Sequence, residues 1–308
     1  MMVADSVLDL IGKTPMLRLT HLSPDGGAEV WAKLEYMNPG GSLKDRTALG
    51  MIRDAEESDR IRPGKSTLIE PTAGNTGVGL ALVGVQLGYR VIAIMPSGHS
   101  IEKQVLIEAL GAEVIRTPEA DGMKGAIKKA EELAQSIEGA VILQQFKNPA
   151  NPDIHFRTTG PEIWEQTGGN LAAVVVGAGT GGTFTGIARY VKRQNPSTKA
   201  YVVESQGSIY GGGQPGKHLI EGIGGSFIPD TLDLEVSDGV LTVTDRQALA
   251  MMKRLAKEEG LLVGGSGAAV AHAASDIAGR LPRGQRVVCV LPDPAERYMS
   301  KNLLQRDE

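Results

Sequence analysis

The chain has little of what several common chemistries require. Its 308 residues include one cysteine, so an internal disulfide framework is excluded. Cys289 lies in the apolar run Arg286-Val287-Val288-Cys289-Val290-Leu291, which predicts a buried strand residue and a reducing compartment. The five histidines, His21, His99, His155, His218 and His272, share no metal-ligand spacing, and there is no HExxH or CxxC sequence, so no metal site is expected. No GxSxG elbow supports a serine hydrolase, and no Walker-type phosphate loop is present. No stretch reaches the roughly 18 uninterrupted apolar residues of a membrane helix. The first ten residues carry Asp5 and Asp9 without a basic segment leading into an apolar one, so no signal peptide is expected. With a net charge of -4 and no cluster of lysine and arginine, the chain has no footprint for nucleic acid. These absences leave a cytoplasmic protein with a small-molecule partner.

Glycine is what the chain has in excess. There are 40 glycines in 308 residues, about 13% against roughly 7% in average proteins, and they cluster in loops after apolar runs. Such loops let backbone amides approach a ligand closely. Strand-like runs at 66–70, 90–95 and 113–117 alternate with helical patterns at 77–87, 101–110 and 123–137. A second set comprises strands at 172–176, 200–204 and 286–291, with helices at 183–193, 245–259 and 268–278. The alternation predicts an α/β fold of two doubly wound lobes with largely parallel sheets and ligands at the carboxyl ends of the strands. Asn148-Pro149 and Asn151-Pro152 interrupt the pattern. The division expected there sets a smaller lobe, 38–148, against a larger one formed by 1–37 with 149–308.

One lysine stands where ordinary lysines are disfavoured. In Asn38-Pro39-Gly40-Gly41-Ser42-Leu43-Lys44-Asp45-Arg46 a glycine turn leads into a helix expected over 46–57, with Ser42 able to cap it. A cation in a first helical turn meets the positive end of the dipole, which lowers the pKa of its amine. A neutral amine forms a Schiff base with an aldehyde. The plain alternative is a solvated lysine beside Asp45.

Three glycine loops accompany it. Pro71-Thr72-Ala73-Gly74-Asn75-Thr76-Gly77 joins a strand to a helix and suits a carboxylate at a helix N-terminus, unless it is a simple turn. Gly177-Ala178-Gly179-Thr180-Gly181-Gly182-Thr183 satisfies G-x-G-x-x-G, with Glu204 22 residues beyond Gly182 as a candidate ribose-binding acid. That supports a nicotinamide-dinucleotide oxidoreductase. The same loop equally describes a cup for one phosphate monoester, and the dinucleotide reading leaves Lys44 and the first loop without a role. In Gly264-Gly265-Ser266-Gly267-Ala268 the serine either reaches a ligand edge or caps the next helix.

An amine, a phosphate cup, a carboxylate loop and a serine loop together describe pyridoxal 5'-phosphate held through a lysine. Over nearly its whole length the chain resembles the cysteine synthase and cystathionine β-synthase family, fold type II pyridoxal phosphate enzymes. The segments that carry the resemblance are Ile11-Gly12-Lys13-Thr14-Pro15, residues 38–46 and 70–77, and Gln144-Gln145-Phe146 with Asn148-Pro149-Ala150-Asn151-Pro152. Thr158-Thr159-Gly160-Pro161-Glu162-Ile163, residues 179–183 and Glu221-Gly222-Ile223-Gly224 complete it. The resemblance implies that Lys44 carries the cofactor and then acts as the Cα base. It further implies that Asn75 meets the pyridine 3-hydroxyl, that Gly179, Thr180, Gly181, Gly182 and Thr183 hold the phosphate, and that Ser266 meets the pyridine nitrogen. Thr72, Ala73, Asn75, Thr76 and Gln145 would surround the substrate carboxylate, with Gly222 near the substrate amine.

The implied reaction is β-replacement on serine or O-acetylserine by homocysteine or sulfide, giving cystathionine or cysteine. Ala73 replaces a serine usual in cysteine synthases, and the Gly-Gly-Ser loop replaces a G-I-S-S-G type. These features, with Gly211-Gly212-Gly213, look closer to bacterial cystathionine β-synthases that take O-acetylserine. The chain ends at Glu308, so neither regulatory domains nor a haem-binding extension of the animal type is expected. The family implies a homodimer and, for some cysteine synthases, a complex with serine acetyltransferase.

Overall fold

Continuous apolar runs become strands buried on both faces, as a parallel sheet between helix layers requires. The computed structural model describes residues 3–306, so Met1, Met2, Asp307 and Glu308 lie outside the described residues, as do the expectations about the termini to the extent that they rest on them. The chain begins with β1 (Met16–Arg18), β2 (Glu29–Leu34) and α1 (Lys44–Glu57). It continues through β3 (Thr67–Pro71), α2 (Asn75–Gln86), β4 (Arg90–Pro96), α3 (Ile101–Ala109), β5 (Glu113–Thr117), α4 (Gly122–Ser136) and β6 (Ala140–Ile142). Next come α5 (Ala150–Ile154), α6 (Gly160–Gln166), β7 (Ala173–Gly177), α7 (Gly182–Gln194) and β8 (Lys199–Ser205). Then come β9 (Gly239–Val243), α8 (Asp245–Arg254), α9 (Gly265–Ala278) and β10 (Arg286–Leu291), followed by 3-10 turns at Ala295–Lys301 and Leu303–Gln305.

Two sheets result. One has the order β5-β4-β3-β6 and is parallel throughout. The other runs β1-β2-β10-β7-β8-β9, and only its edge strand β1 is antiparallel. Each sheet has apolar clusters on both faces, which makes the doubly wound α/β architecture expected from the alternation. Helices against the sheets carry small residues where they are enclosed: α9 buries Ala268, Ala269, Ala271, Ala273 and Ala274, whereas α4, solvated on one side, buries only Ala126 and Ala130, four apart.

Most expected elements appear within two residues of their bounds. The 245–259 helix is α-helical only to Arg254 and finishes as a π-helical turn, Leu255–Glu259, before Gly260 at φ 70°. The prolines at 149 and 152 do not mark an unstructured break. Pro149 precedes α5 and Pro152 lies in its first turn, where no amide partner is needed. Cys289 is fully buried in β10, and burial pushes its thiol up to about 12. No helix among the described residues is long and apolar enough to cross a membrane.

Candidate active site

The loops that follow β2, β3, β7 and β10 lie at carboxyl ends of parallel strands, and they wall one cavity of about 960 Å³. Lys44, Thr72, Ala73, Asn75, Thr76, Gln145, Gly179, Thr180, Gly181, Thr183, Gly222 and Ser266 all line it. Gly182 alone among the expected site residues does not. It opens α7 against Asn151, and a Cβ there would come within 2.2 Å of Asn151 Oδ1, so it can serve a ligand only through its backbone.

Lys44 is the first residue of α1, and Ser42 Oγ accepts its amide hydrogen at 3.3 Å. Leu43 already has helical φ and ψ, so the helix starts earlier than the apolar pattern indicates. Burial brings the amine from 10.5 down to about 8, with the nearby Asp293 charge acting in the opposite direction. The direction matches that expected at a helix start; enclosure by the cavity walls is the main cause.

The phosphate-type loop is built to point its amides inward. Its carbonyls are engaged by neighbouring segments: Gly224 N–H donates to Ala178 O at 2.7 Å, Tyr210 O–H to Gly179 O at 2.7 Å and Thr231 O–H to Thr180 O at 2.6 Å. The first-turn amides of α7 have no intrahelical acceptor, and Thr183 of that turn lines the cavity beside Gly181 and Thr180. Gly181 stands at φ 83°, a conformation that favours glycine, with Leu232 occupying the place of a Cβ. The loop has the free amides and the hydroxyls that a cup for a single phosphate requires. The acid a dinucleotide would need is already committed: Glu204 accepts from Tyr210 N at 3.0 Å, Gly211 N at 3.2 Å and Thr242 Oγ1 at 2.9 Å.

The loop after β3 turns at Gly74, φ 121°, and α2 begins at Asn75, two residues before the expected start, so Asn75 and Thr76 occupy its first turn, whose free amides suit an anion. Thr72 Oγ1 accepts from Gly74 N at 2.9 Å, and Thr76 Oγ1 donates to Gln145 Oε1 at 2.7 Å. Gln145 is held by its backbone, which donates to Glu70 Oε1 at 2.9 Å. Burial pushes Glu70 up to about 8, although the amides of Gln145 and Gln144 oppose this. Ser266 is the second residue of α9, whose start is capped by Gly264, so its hydroxyl is not a helix cap and faces the cavity opposite Gly222.

Several residues that sequence reasoning passed over hold these parts together. His155, in a π-helical segment, places Nε2 3.2 Å from both Thr47 Oγ1 of α1 and Thr183 Oγ1 of the phosphate loop. Burial, then the Lys44 and Arg46 charges, push its pKa well below the ordinary value, so it is neutral. Asn151 Nδ2 donates to Thr180 Oγ1 at 3.0 Å and to Gln145 O at 2.8 Å, joining two loops. Beneath α1, Arg46 bridges Glu35 and Glu162, and Lys33 also meets Glu162 at 2.7 Å. Motif position was the available signal: His155, Asn151 and Glu162 fall in or beside segments that carry the resemblance, yet nothing in their spacing assigns them a role.

Residues 7–293 match the family described as pyridoxal-phosphate dependent enzyme. The chain is 47% identical over 305 residues to the O-acetylserine dependent cystathionine beta-synthase of Bacillus subtilis (strain 168), covering 99% of each. It is 45% identical over 306 residues to a cysteine synthase of Staphylococcus aureus (strain Mu50), covering 99% of this chain and 98% of that one. Among solved structures it resembles the O-acetylserine dependent cystathionine beta-synthase from Helicobacter pylori, at 44% identity and a TM-score of 0.93, covering 97% of this chain and 98% of that one. An inward-facing phosphate cup and a buried amine at one cavity fit the cofactor of that family. The chain therefore belongs to the pyridoxal-phosphate dependent enzymes, in the cysteine synthase and cystathionine β-synthase group.

Proposed function

We propose that this enzyme carries out β-replacement on O-acetylserine or serine, with homocysteine or sulfide as nucleophile, to form cystathionine or cysteine. The observation that carries the reading is the convergence of Lys44, the phosphate cup and the carboxylate loop on one cavity. At about 960 Å³ the cavity lies at the upper end of the usual range for ligand pockets, which leaves space for a second substrate beside the cofactor. The names of the relatives at 47% and 44% identity support O-acetylserine as first substrate and cystathionine as product.

Pyridoxal phosphate, when bound, supplies an electron sink that acidifies the Cα–H of an attached amino acid. Gly179, Thr180, Gly181 and Thr183 would hold its phosphate, with Gly182 contributing its amide, and Lys44 would carry it. Asn75 would meet its ring oxygen and Ser266, a neutral partner, its ring nitrogen. Thr72, Ala73, Asn75, Thr76 and Gln145 would orient the substrate carboxylate by amide and hydroxyl donors, with Gly222 beside the amine. Lys44, whose amine sits at about 8, can take the Cα proton on Nζ, keep it while the β-substituent leaves, and return it after the nucleophile has added to Cβ.

Residues 38–148 are proposed to close as a unit on 1–37 with 149–308, excluding water during these proton transfers. A homodimer in the cytoplasm is proposed on the family resemblance. The purified protein is expected to show the visible absorption of a lysine-bound cofactor. Absence of the band, or its survival unchanged in Lys44→Ala, would overturn the reading. Ranking kcat/KM for serine and O-acetylserine with sulfide and homocysteine then selects the pair, and equal values for both nucleophiles would refute a dedicated cystathionine synthase.

A further inference from the structure

Asn75 arrives at the cavity already committed at both ends of its amide. Its Nδ2 donates to Asp293 Oδ2 at 2.7 Å, and its Oδ1 accepts from Arg297 Nη1 at 2.6 Å. The partners lie 218 and 222 residues away, on the segment that follows β10. Both are anchored in turn. Tyr298 O–H donates to the same Asp293 oxygen, Arg297 Nη2 donates to Gly40 O, and Gly264 N–H donates to the Asp293 backbone oxygen at 2.9 Å. Asp293 is fully buried, and its carboxyl fills the place a Cβ on Gly264 would take.

This arrangement decides which way the amide points. Turned over, it would set its NH2 against the Arg297 guanidinium, donor to donor, and its oxygen against the Asp293 carboxyl, acceptor to acceptor. Held as it is, the amide keeps a second N–H free, while its oxygen is occupied by a cationic donor. Asn75 can therefore offer the cavity a donor, polarised by the Arg297 cation at its oxygen and held in direction by Asp293 at its other N–H. We propose that Asp293 and Arg297 are positioning residues that fix Asn75 to present an N–H to the oxygen on the cofactor ring and so favour that oxygen as an anion. The inference rests on the reading that Asn75 meets this oxygen.

The test is the absorption spectrum of the cofactor-loaded protein, taken as the ratio of the long-wavelength band of the anionic ring oxygen to the short-wavelength band of its neutral form. Asp293→Asn can turn either end of its amide to Asn75, so the N–H is no longer fixed toward the cavity, and the ratio is expected to fall about twofold, as for two equally populated orientations. Arg297→Gln can still donate to Asn75 Oδ1 and is expected to lower the ratio similarly, which provides a reading should Asp293→Asn fail to fold. In an Asn75→Ala background only the direct effect of each charge on the site remains, including that of Asp293 on Lys44, so each substitution should move the ratio less than it does with Asn75 present. A ratio left at the native value by the folded variants, or an equal change in the Asn75→Ala background, would overturn the proposal. A native protein without any visible band would instead overturn the assignment of the site.

Discussion

Arg46→Met should destabilise the protein by about 3–5 kcal/mol, the usual loss when one partner of a buried ion pair is removed. Arg46 is 2% exposed and makes five hydrogen bonds, to Glu35, Glu162 and Thr14, at 2.6–3.3 Å. Met replaces the aliphatic stem, so the loss falls on the carboxylates. Glu162 keeps Lys33, but Glu35, fully buried, keeps only the Thr14 hydroxyl at 2.6 Å and Asn38 Nδ2 at 3.1 Å. In the native protein burial would raise the Glu35 carboxyl, and the Arg46 charge with its hydrogen bonds outweighs this, holding it below 4.5. A depressed carboxyl contributes stability that is present above its unfolded value and lost as pH falls through the folded one. Without Arg46 the sign reverses. Glu35 then rises above 4.5, and the variant should lose stability as pH increases beyond that value, by at most about 1.4 kcal/mol per pH unit. Urea unfolding followed by circular dichroism between about pH 5 and 8, at a fixed cofactor concentration, measures both effects. Adding Glu35→Gln should recover part of the loss and flatten its pH dependence. A loss below about 1 kcal/mol, the range of exposed pairs, or a loss that does not change with pH, would refute the argument.

Three further outcomes follow from the same geometry. In Gly79→Ala the new methyl would lie 2.7 Å from the Lys44 carbonyl oxygen, so α1 and α2 must separate; a loss of about 1–3 kcal/mol is expected, with weakened cofactor retention, and native retention would contradict it. Rebinding of pyridoxal phosphate to the cofactor-free protein should accelerate as pH rises and Lys44 loses its proton, reaching half its maximum near 8; a midpoint near 10.5 would show an unburied amine. Cys289 should resist thiol reagents at neutral pH until the protein unfolds, because burial pushes its thiol up to about 12; fast labelling of the native protein would place it elsewhere.

The local pattern was legible where apolar runs were continuous. The 113–117 and 286–291 strands match β5 and β10 to the residue. The sequence Glu29-Val30-Trp31-Ala32-Lys33-Leu34 hid β2, because Lys33 looks solvated yet is fully buried against Glu162 and Gln166. β6, three residues long, escaped for lack of length. The site loops announced themselves by glycine and small hydroxyl residues, since backbone that must approach a ligand restricts its own composition. Asp293 and Arg297 gave no such sign. Their effect depends on β10 placing them beside Asn75, a long-range pairing that local spacing does not encode.

The place of β10 between β2 and β7 also has a consequence for how the protein is made. Ribosomal synthesis delivers Lys44 early, whereas the strand that joins the two halves of the larger sheet comes almost last. Until it docks, β2 and β7 have no common neighbour, and the wall bearing Asp293 and Arg297 does not exist. The lysine of a growing chain therefore keeps the basicity of any exposed lysine and remains protonated, a poor trap for the cell's reactive aldehydes. In this order of synthesis the amine falls toward about 8 only once the cavity that encloses it is complete.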